Sequence, residues 1–382
     1  MEKQDFSEHC CHVGCAGYSY AHWSENATGD ANVPDKYHAG YFYPQVLEKR
    51  AWLSFYSRRF SSVEINSSFY GFPKAETLSR WSREVPFGFS FVMKMPKSVT
   101  HDKRLEMSAM EELRRFCVLC DDNLGNSLGG ILIQLPPSLS RSDKKLEMTL
   151  ASIPEHLLCK IAFEFRHESW WCSDVMSILD GKGASMVRTV TPESGALHPL
   201  MIDSPAAAKS KFVYIRMGHS VKMEKEIGVT MYRGEHESGG NTTDNEAVHV
   251  VAETVNKCLI LGKKVFVFLM NDLAAWAPKD ALMVESAIQK QVHACCHVSE
   301  NKDYNEVVLN KNWSRVSVSE ASQTANSSLS KGQKSPGKYE RNPKRQRDMH
   351  SFFKPSAASI RQPGSGSAMD ELRKRQKNYF SS

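Results

Sequence analysis

The sequence predicts an α/β protein: a (β/α)8 TIM-like barrel over residues 1–298, followed by a disordered basic tail over residues 299–382. Three observations predict it. Eight short β-rich runs alternate with helix-like stretches across about 290 residues. An apolar fraction of 41% supplies a sizeable core. The first run is not followed by the glycine fingerprint of dinucleotide-binding folds, which weighs against the alternative, a doubly wound open sheet.

The runs, in order, are His12–Gly17, Ser62–Ser67, Ser90–Lys94, Gly130–Leu135, Lys160–Phe165, Ala184–Arg188, Phe212–Met217 and Lys264–Met270. Most are rich in branched or aromatic residues, as strands buried on both faces require, while His12–Gly17 and Ala184–Arg188 carry one valine each. Between them, Pro44 suits a helix start, so a helix is expected over Gln45–Arg59. Glu106–Asp121 and Pro278–His297 also read as helices. Val248, Val251, Val255 and Leu259 form one apolar stripe at helical spacing. From about Ser299, Ser, Asn, Lys, Gly and Pro dominate and apolar periodicity ends. Asn301–Val318 is the part of this region that is expected either to pack on the barrel or to join the tail.

Charge divides the chain in the same place. From Ser299 onward there are 16 Lys and Arg against 8 Asp and Glu, so the total of +6 leaves residues 1–298 near −2. A slightly acidic body argues against extensive duplex binding by the barrel itself, while the basic tail suits a polyanion. No run of 18 apolar residues occurs, so no membrane span is expected. The start, Met1-Glu2-Lys3-Gln4-Asp5, lacks an apolar signal region. The ten cysteines are therefore expected as reduced thiols in an intracellular protein.

Segments at the strand ends carry a resemblance. They are Val13-Gly14-Cys15-Ala16-Gly17-Tyr18-Ser19-Tyr20, Val63-Glu64-Ile65-Asn66-Ser67-Ser68-Phe69-Tyr70 and Val92-Met93-Lys94-Met95-Pro96 with Val99-Thr100-His101. Gln134-Leu135-Pro136-Pro137-Ser138 and Phe163-Glu164-Phe165-Arg166-His167, with Ser169-Trp170, complete the set. Together, over roughly residues 12–290, they resemble the YecE-like family of TIM-barrel proteins, a domain of unknown function. The resemblance implies the barrel and no particular reaction. This chain differs in having Ala16 where the family has a small hydroxyl residue. It also has Met217-Gly218-His219 in place of a His-Gly order, and Met270-Asn271 in place of an Asn-Asn pair. Residues 24–40 read as an insertion in the first loop.

In a TIM barrel the active face lies at the strand C-termini. Polar groups recur there. Glu64 and Asn66 share one face of the second strand, and Lys94, Gln134, Glu164 and Arg166 follow on the next three. His101 comes in the loop after the third strand, Arg188 and Arg216 end the sixth and seventh, and Asn271 follows the eighth. Ionisable residues at so many strand ends are costly unless paired. One explanation is structural pairing, Glu64 with Lys94 and Glu164 with Arg188. The other is a site that binds an anion and moves a proton. In it Glu64, Asn66, Lys94, His101, Glu164 and Arg166 would do the chemistry, and Tyr18, Tyr70, Gln134, Arg188, Arg216 and Asn271 would hold substrate. Glu64 or Glu164 would be the base and His101 an acid or base.

The cofactor is left open. Glu64, Glu164, His101 and His167 are of types that ligate a divalent metal, but no His-x-His or His-Glu-x-x-His spacing occurs. His9-Cys10-Cys11-His12 and His293, Cys295, Cys296 and His297 form a second His/Cys set, which barrel closure would bring to the bottom rim. A zinc or redox site there is one reading; adjacent cysteines chelate awkwardly, so the favoured reading is structural, as it is for Cys117-x-x-Cys120 in its helix.

The tail holds Gln346-Arg347-Asp348-Met349-His350-Ser351-Phe352-Phe353. This resembles the peptide box by which replication and repair proteins dock on the sliding clamp, proliferating cell nuclear antigen (PCNA). One 3₁₀ turn sets Met349, Phe352 and Phe353 on one side as an apolar plug and lets Gln346 reach a polar pocket. The runs Lys344-Arg345-Gln346-Arg347 and Arg373-Lys374-Arg375-Gln376-Lys377 suit nuclear import. The expected function is a nuclear, clamp-recruited barrel that binds or processes nucleic acid in replication or repair, as a hydrolase or lyase if it is an enzyme. The alternatives are a metabolic barrel acting on a small phosphorylated or acidic substrate, and a non-catalytic clamp adaptor.

Overall fold

The computed structural model describes residues 10–24, 41–190, 210–218, 246–270 and 275–296. Nine strand segments form one parallel sheet: β1 Cys11–Cys15, β2 Ser62–Ile65, β3 Ser90–Lys94, β4 Leu128–Gln134, β5 Ile161–Glu164, β6 Ser185–Met186, β7 Arg188–Val190, β8 Phe212–Met217 and β9 Lys264–Leu269. Their spatial order is β6-β5-β4-β3-β2-β1-β9-β8-β7. The two ends of that order, β6 and β7, are separated in the chain by Val187 alone. The first half of this stretch pairs with β5 and the second with β8, so the sheet closes on itself. The barrel therefore has eight strand positions, each within a few residues of its predicted run, with the sixth bent at Val187 as it crosses the seam. The Val187 amide still donates to the Phe163 carbonyl at 2.8 Å.

Seven described helices lie along the chain: α1 Trp52–Ser57, α2 Ala75–Glu84, α3 Met110–Leu124, α4 Asp143–Ser152, α5 Ser173–Asp180, α6 Glu246–Ile260 and α7 Trp276–Cys296. None of the helices is long and apolar enough to cross a membrane, among the described residues. The α6 stripe is as predicted, with Val248, Val251 and Val255 buried. The predicted helix from Gln45 is shorter than expected. Residues 44–47 form a turn closed by the Leu47 amide on the Pro44 carbonyl, and helix begins only at Lys49. The cause is aromatic packing. Tyr43 stacks on Trp52 with centroids 4.4 Å apart, and Trp52 Nε1 donates to the Leu47 carbonyl, which holds the segment back against the next turn. α3 likewise starts four residues later than Glu106, after a short 3₁₀ turn at Met107–Ala109.

Strand parity splits the core in two. Val63, Ile65, Phe91, Met93, Ile131, Ile133 and Phe163 face the helices. Val92, Leu132, Ala162, Val187, Phe212, Tyr214, Phe266 and Phe268 fill the barrel interior. Each interior position points the way to the mouth. Two residues beyond Val92, Leu132, Ala162 and Tyr214, on the same face, stand Lys94, Gln134, Glu164 and Arg216. Below them, β1 crowds β2: a Cβ added at Gly14 would lie 2.0 Å from the Ser62 carbonyl oxygen. That neighbour is backbone and cannot rotate away. Gly14→Ala should therefore destabilise the barrel by about 3 kcal/mol, at the upper end of overpacking costs, in a urea denaturation. A loss under about 0.5 kcal/mol would contradict this close approach.

Candidate active site at the mouth of the barrel

Arg216 is the centre of the mouth. It is fully buried on β8, and its Nη2 donates to Glu64 Oε1 at 2.8 Å while its Nη1 donates to Glu164 Oε2. One guanidinium fork thus joins carboxylates from β2 and β5, on opposite sides of the barrel. Tyr214, two residues earlier on the same face, donates its hydroxyl to Glu64 Oε2 at 2.6 Å. Gln134 Nε2 donates to Glu164 Oε2 at 2.9 Å, and Arg166 Nε to Glu164 Oε1 at 3.1 Å.

These contacts set the charges. Burial pushes the Glu164 carboxyl up, but Arg216 and Arg166 outweigh it and hold the group at about 2. Burial works against the Arg216 charge, and the two carboxylates overcome that and raise it above the ordinary guanidinium range. The Tyr214 phenol is pushed well up, first by burial and then by Glu64. Glu164 is therefore a fixed anion at neutral pH and a weak proton acceptor.

Lys94 differs. It is 9% exposed, yet no carboxylate oxygen lies within ion-pair distance of it among the described residues. Its ammonium sits 4.2 Å over the Phe69 ring, a cation–π contact. Burial and then Arg216 bring its pKa down to about 8, against the pull of both glutamates. His101 meets the same Phe69 ring edge-on at 5.0 Å and shares its Nδ1 with Thr100 Oγ1 at 2.9 Å. Burial, Lys94 and Arg166 lower it to about 4, so it is neutral. Asn66 Nδ2 donates to the Ala16 carbonyl at 3.2 Å. Ser68 Oγ ties the second and third strand ends together through the Ile65 and Lys94 carbonyls.

Four buried polar atoms at this mouth have no hydrogen-bond partner among the described residues: Asn66 Oδ1, His101 Nε2, Gln134 Oε1 and Arg216 Nε. Native interiors rarely leave such atoms unsatisfied. Glu64, Asn66, Lys94, His101, Gln134, Glu164, Arg166 and Arg216 are thus gathered at one place.

Other expectations are corrected. Arg188 faces outward, its guanidinium against the sulfurs of Met186 and Met176, so it pairs with neither Glu164 nor a substrate at the mouth. The cause is parity: Val187 is the inward residue of that strand. Tyr18 also turns outward, with its ring near Tyr56 and Trp81. The Glu64 partner is Arg216, where Lys94 was expected. Tyr70 is 71% exposed beside Phe69 and is the accessible ring at the mouth. Trp170 and Trp171 give their indole hydrogens to the Leu139 and Phe165 carbonyls and are structural. Asn271 and Gln346, Met349, Phe352 and Phe353 lie outside the described residues.

No three metal-ligating side chains converge among the described residues. Both glutamates of the expected ligand set are engaged by Arg216. His12 points into the barrel and stacks on Phe266 at 4.7 Å. Cys11 points outward, and burial, followed by Glu285, raises its thiol to about 12. The two neighbours therefore face opposite ways; His9 and His297 lie outside the described residues. Cys117 and Cys120 are buried in α3, as expected.

A family model described as protein of unknown function DUF72 matches residues 12–305. The UPF0759 protein YunF of Bacillus subtilis (strain 168) is 31% identical over 135 residues, which are 34% of this chain and 47% of that protein. The chain thus spans about half the length of this curated relative. Among solved structures, a DUF72 family protein of Thermotoga maritima MSB8 aligns with a TM-score of 0.56 at 23% identity, over 74% of this chain and 100% of that one. A DUF72 family protein of Enterococcus faecalis V583 aligns with a TM-score of 0.50 at 16% identity, over 73% and 95%. These likenesses bear on the fold.

Proposed function

The chain belongs to the DUF72 family, and from the mouth of its barrel we propose an anion-binding, proton-moving site in a nuclear, clamp-recruited protein that binds or processes nucleic acid in replication or repair. The observation that carries the site is the set of four buried polar atoms without partners among the described residues, beside Lys94, which makes no ion pair among them, and Arg166, which spends one nitrogen on Glu164. Arg216 is spent on two carboxylates. Lys94 has no ion pair, and Arg166 gives only its Nε to Glu164 among the described residues. A phosphate or carboxylate entering the mouth would meet both cations. Glu64 and Glu164 then orient Arg216 through their hydrogen bonds to its guanidinium. Proton exchange falls to Lys94 and His101, whose pKa values of about 8 and about 4 lie on either side of neutrality.

The basic tail supports the nucleic-acid reading, and the clamp-like box supports recruitment. The depth of Lys94 favours a second reading, a small phosphorylated or acidic substrate. Binding of abasic, nicked and flapped duplexes to the full chain separates the two. Arg166→Gln should weaken the best duplex about tenfold, or ~1.4 kcal/mol. Equal affinity would mean that the duplex does not reach the mouth.

Recruitment has its own test. Replacing Phe352 and Phe353 together by Ala should remove most clamp affinity, since buried aromatic anchors carry about 2 kcal/mol or more each. Unchanged affinity for PCNA in calorimetry would reject the docking assignment.

A further inference from the structure

We propose that Lys94 is a nucleophile that forms an imine with an aldehyde or ketone whose neighbouring anionic group is held by Arg166. The inference rests on the anion-binding reading of the mouth and names the substrate class it would take.

Four observations lead to it. Lys94 is more than nine-tenths buried at the end of β3 and has no ion pair among the described residues, although two carboxylates stand at the same mouth. A lysine kept only for charge balance would pair with one of them; here Arg216 takes both. The ammonium rests on the Phe69 face, a contact that holds the side chain in place at the mouth. Cations beside it and burial around it favour the free amine, and its pKa of about 8 leaves a usable neutral fraction at physiological pH. Finally, the His101 ring, neutral and with its Nε2 unpartnered, stands against the same Phe69 ring. It can pass a proton between nitrogen and oxygen.

The step balances with no further reagent. The lone pair of the neutral Lys94 Nζ attacks the carbonyl carbon, and the C–O π pair moves to oxygen. The nitrogen loses a proton and the oxygen gains one, which gives a carbinolamine. Protonation of its hydroxyl by the proton that His101 carries lets water leave as the nitrogen lone pair forms the C=N bond of an iminium, and the remaining nitrogen proton returns to His101. Amine and carbonyl thus become imine and water, and no group is oxidised or reduced. Arg166 would hold the anionic neighbour of that carbon. Two sources share this chemistry: the open-chain sugar of an abasic site, flanked by phosphates, and a small 2-oxo acid.

The test is reductive trapping. The full chain is incubated with sodium borohydride and either an abasic oligonucleotide or glyoxylate. Borohydride delivers hydride to the imine carbon and leaves a stable secondary amine, read by intact mass and peptide mapping. The expected result is one adduct on Lys94 in the wild-type chain, reduced at least tenfold in Lys94→Arg. Mapping on the wild type locates the adduct even if that variant does not fold. An adduct with the oligonucleotide supports both the imine and the nucleic-acid reading. An adduct on Lys94 with glyoxylate alone supports the imine, assigns it to a small 2-oxo acid and overturns the abasic sugar as its source. No adduct with either probe, or adducts spread over surface lysines, overturns the imine. The Arg166→Gln binding comparison then still decides the anion site separately.

Discussion

Replacing Arg216 by Met should lower the unfolding free energy at pH 7 by about 3–5 kcal/mol, the usual cost of removing one partner from a buried ion network. Arg216 is the shared donor to Glu64 and Glu164, which are 0% and 5% exposed. Without it, two carboxylates would remain in the mouth with Lys94 and Arg166 as their nearest cations. Methionine fills similar volume, so the loss would report charge more than shape. The deficit should already be smaller at pH 5, because the stranded Glu164 carboxylate, no longer held low by Arg216, can then take a proton. Urea denaturation at pH 7 and pH 5 checks both points. A variant within 1 kcal/mol of wild type at pH 7 would show that the network is not what holds the strand ends together.

Glu164→Gln should be milder and more diagnostic. The amide is nearly isosteric, and Arg216 keeps Glu64, so a loss of about 2–3 kcal/mol at pH 7 is expected from weakening charge-assisted hydrogen bonds. Its pH dependence follows from the sign of the shift. The folded pKa, about 2, lies below the ordinary 4.5. Ionised Glu164 therefore stabilises the fold fully above about 4.5, and that contribution is lost as pH falls toward 2. Glutamine does not titrate, so the wild-type advantage should be full at pH 7 and nearly gone near pH 2. Thermal melts of the two proteins across that window would show it. A constant difference at all pH values would point to a packing defect instead. The same substitution removes an anion that raises the Lys94 pKa, so the Lys94 amine should titrate lower still.

Much of this was legible in the chain. The eight strand runs stand out because strands buried on both faces are nearly continuous apolar segments. Their polar ends stand out because a barrel interior is otherwise mostly apolar. What the sequence did not resolve was direction at the mouth. Arg188 and Arg216 look alike as arginines at strand ends, yet one faces Met176 and the other two carboxylates. Parity could have separated them: Val187 is the apolar, inward residue of its strand, and Arg216 continues the inward face of Phe212 and Tyr214. The same count would have found Tyr214. The late start of α1 was not legible, because it follows from Tyr43 and Trp52 meeting across a turn, a tertiary contact that overrides the Pro44 signal.

Strand processing decides whether the barrel mouth works on a nucleic-acid substrate. End-labelled abasic, nicked and flapped duplexes would be incubated with the full chain and PCNA, with Arg166→Gln and Lys94→Met as paired variants. A discrete product is expected from at least one duplex, formed at least tenfold more slowly by each variant that melts like wild type. A product formed equally fast by both variants, or none from any duplex, would contradict it.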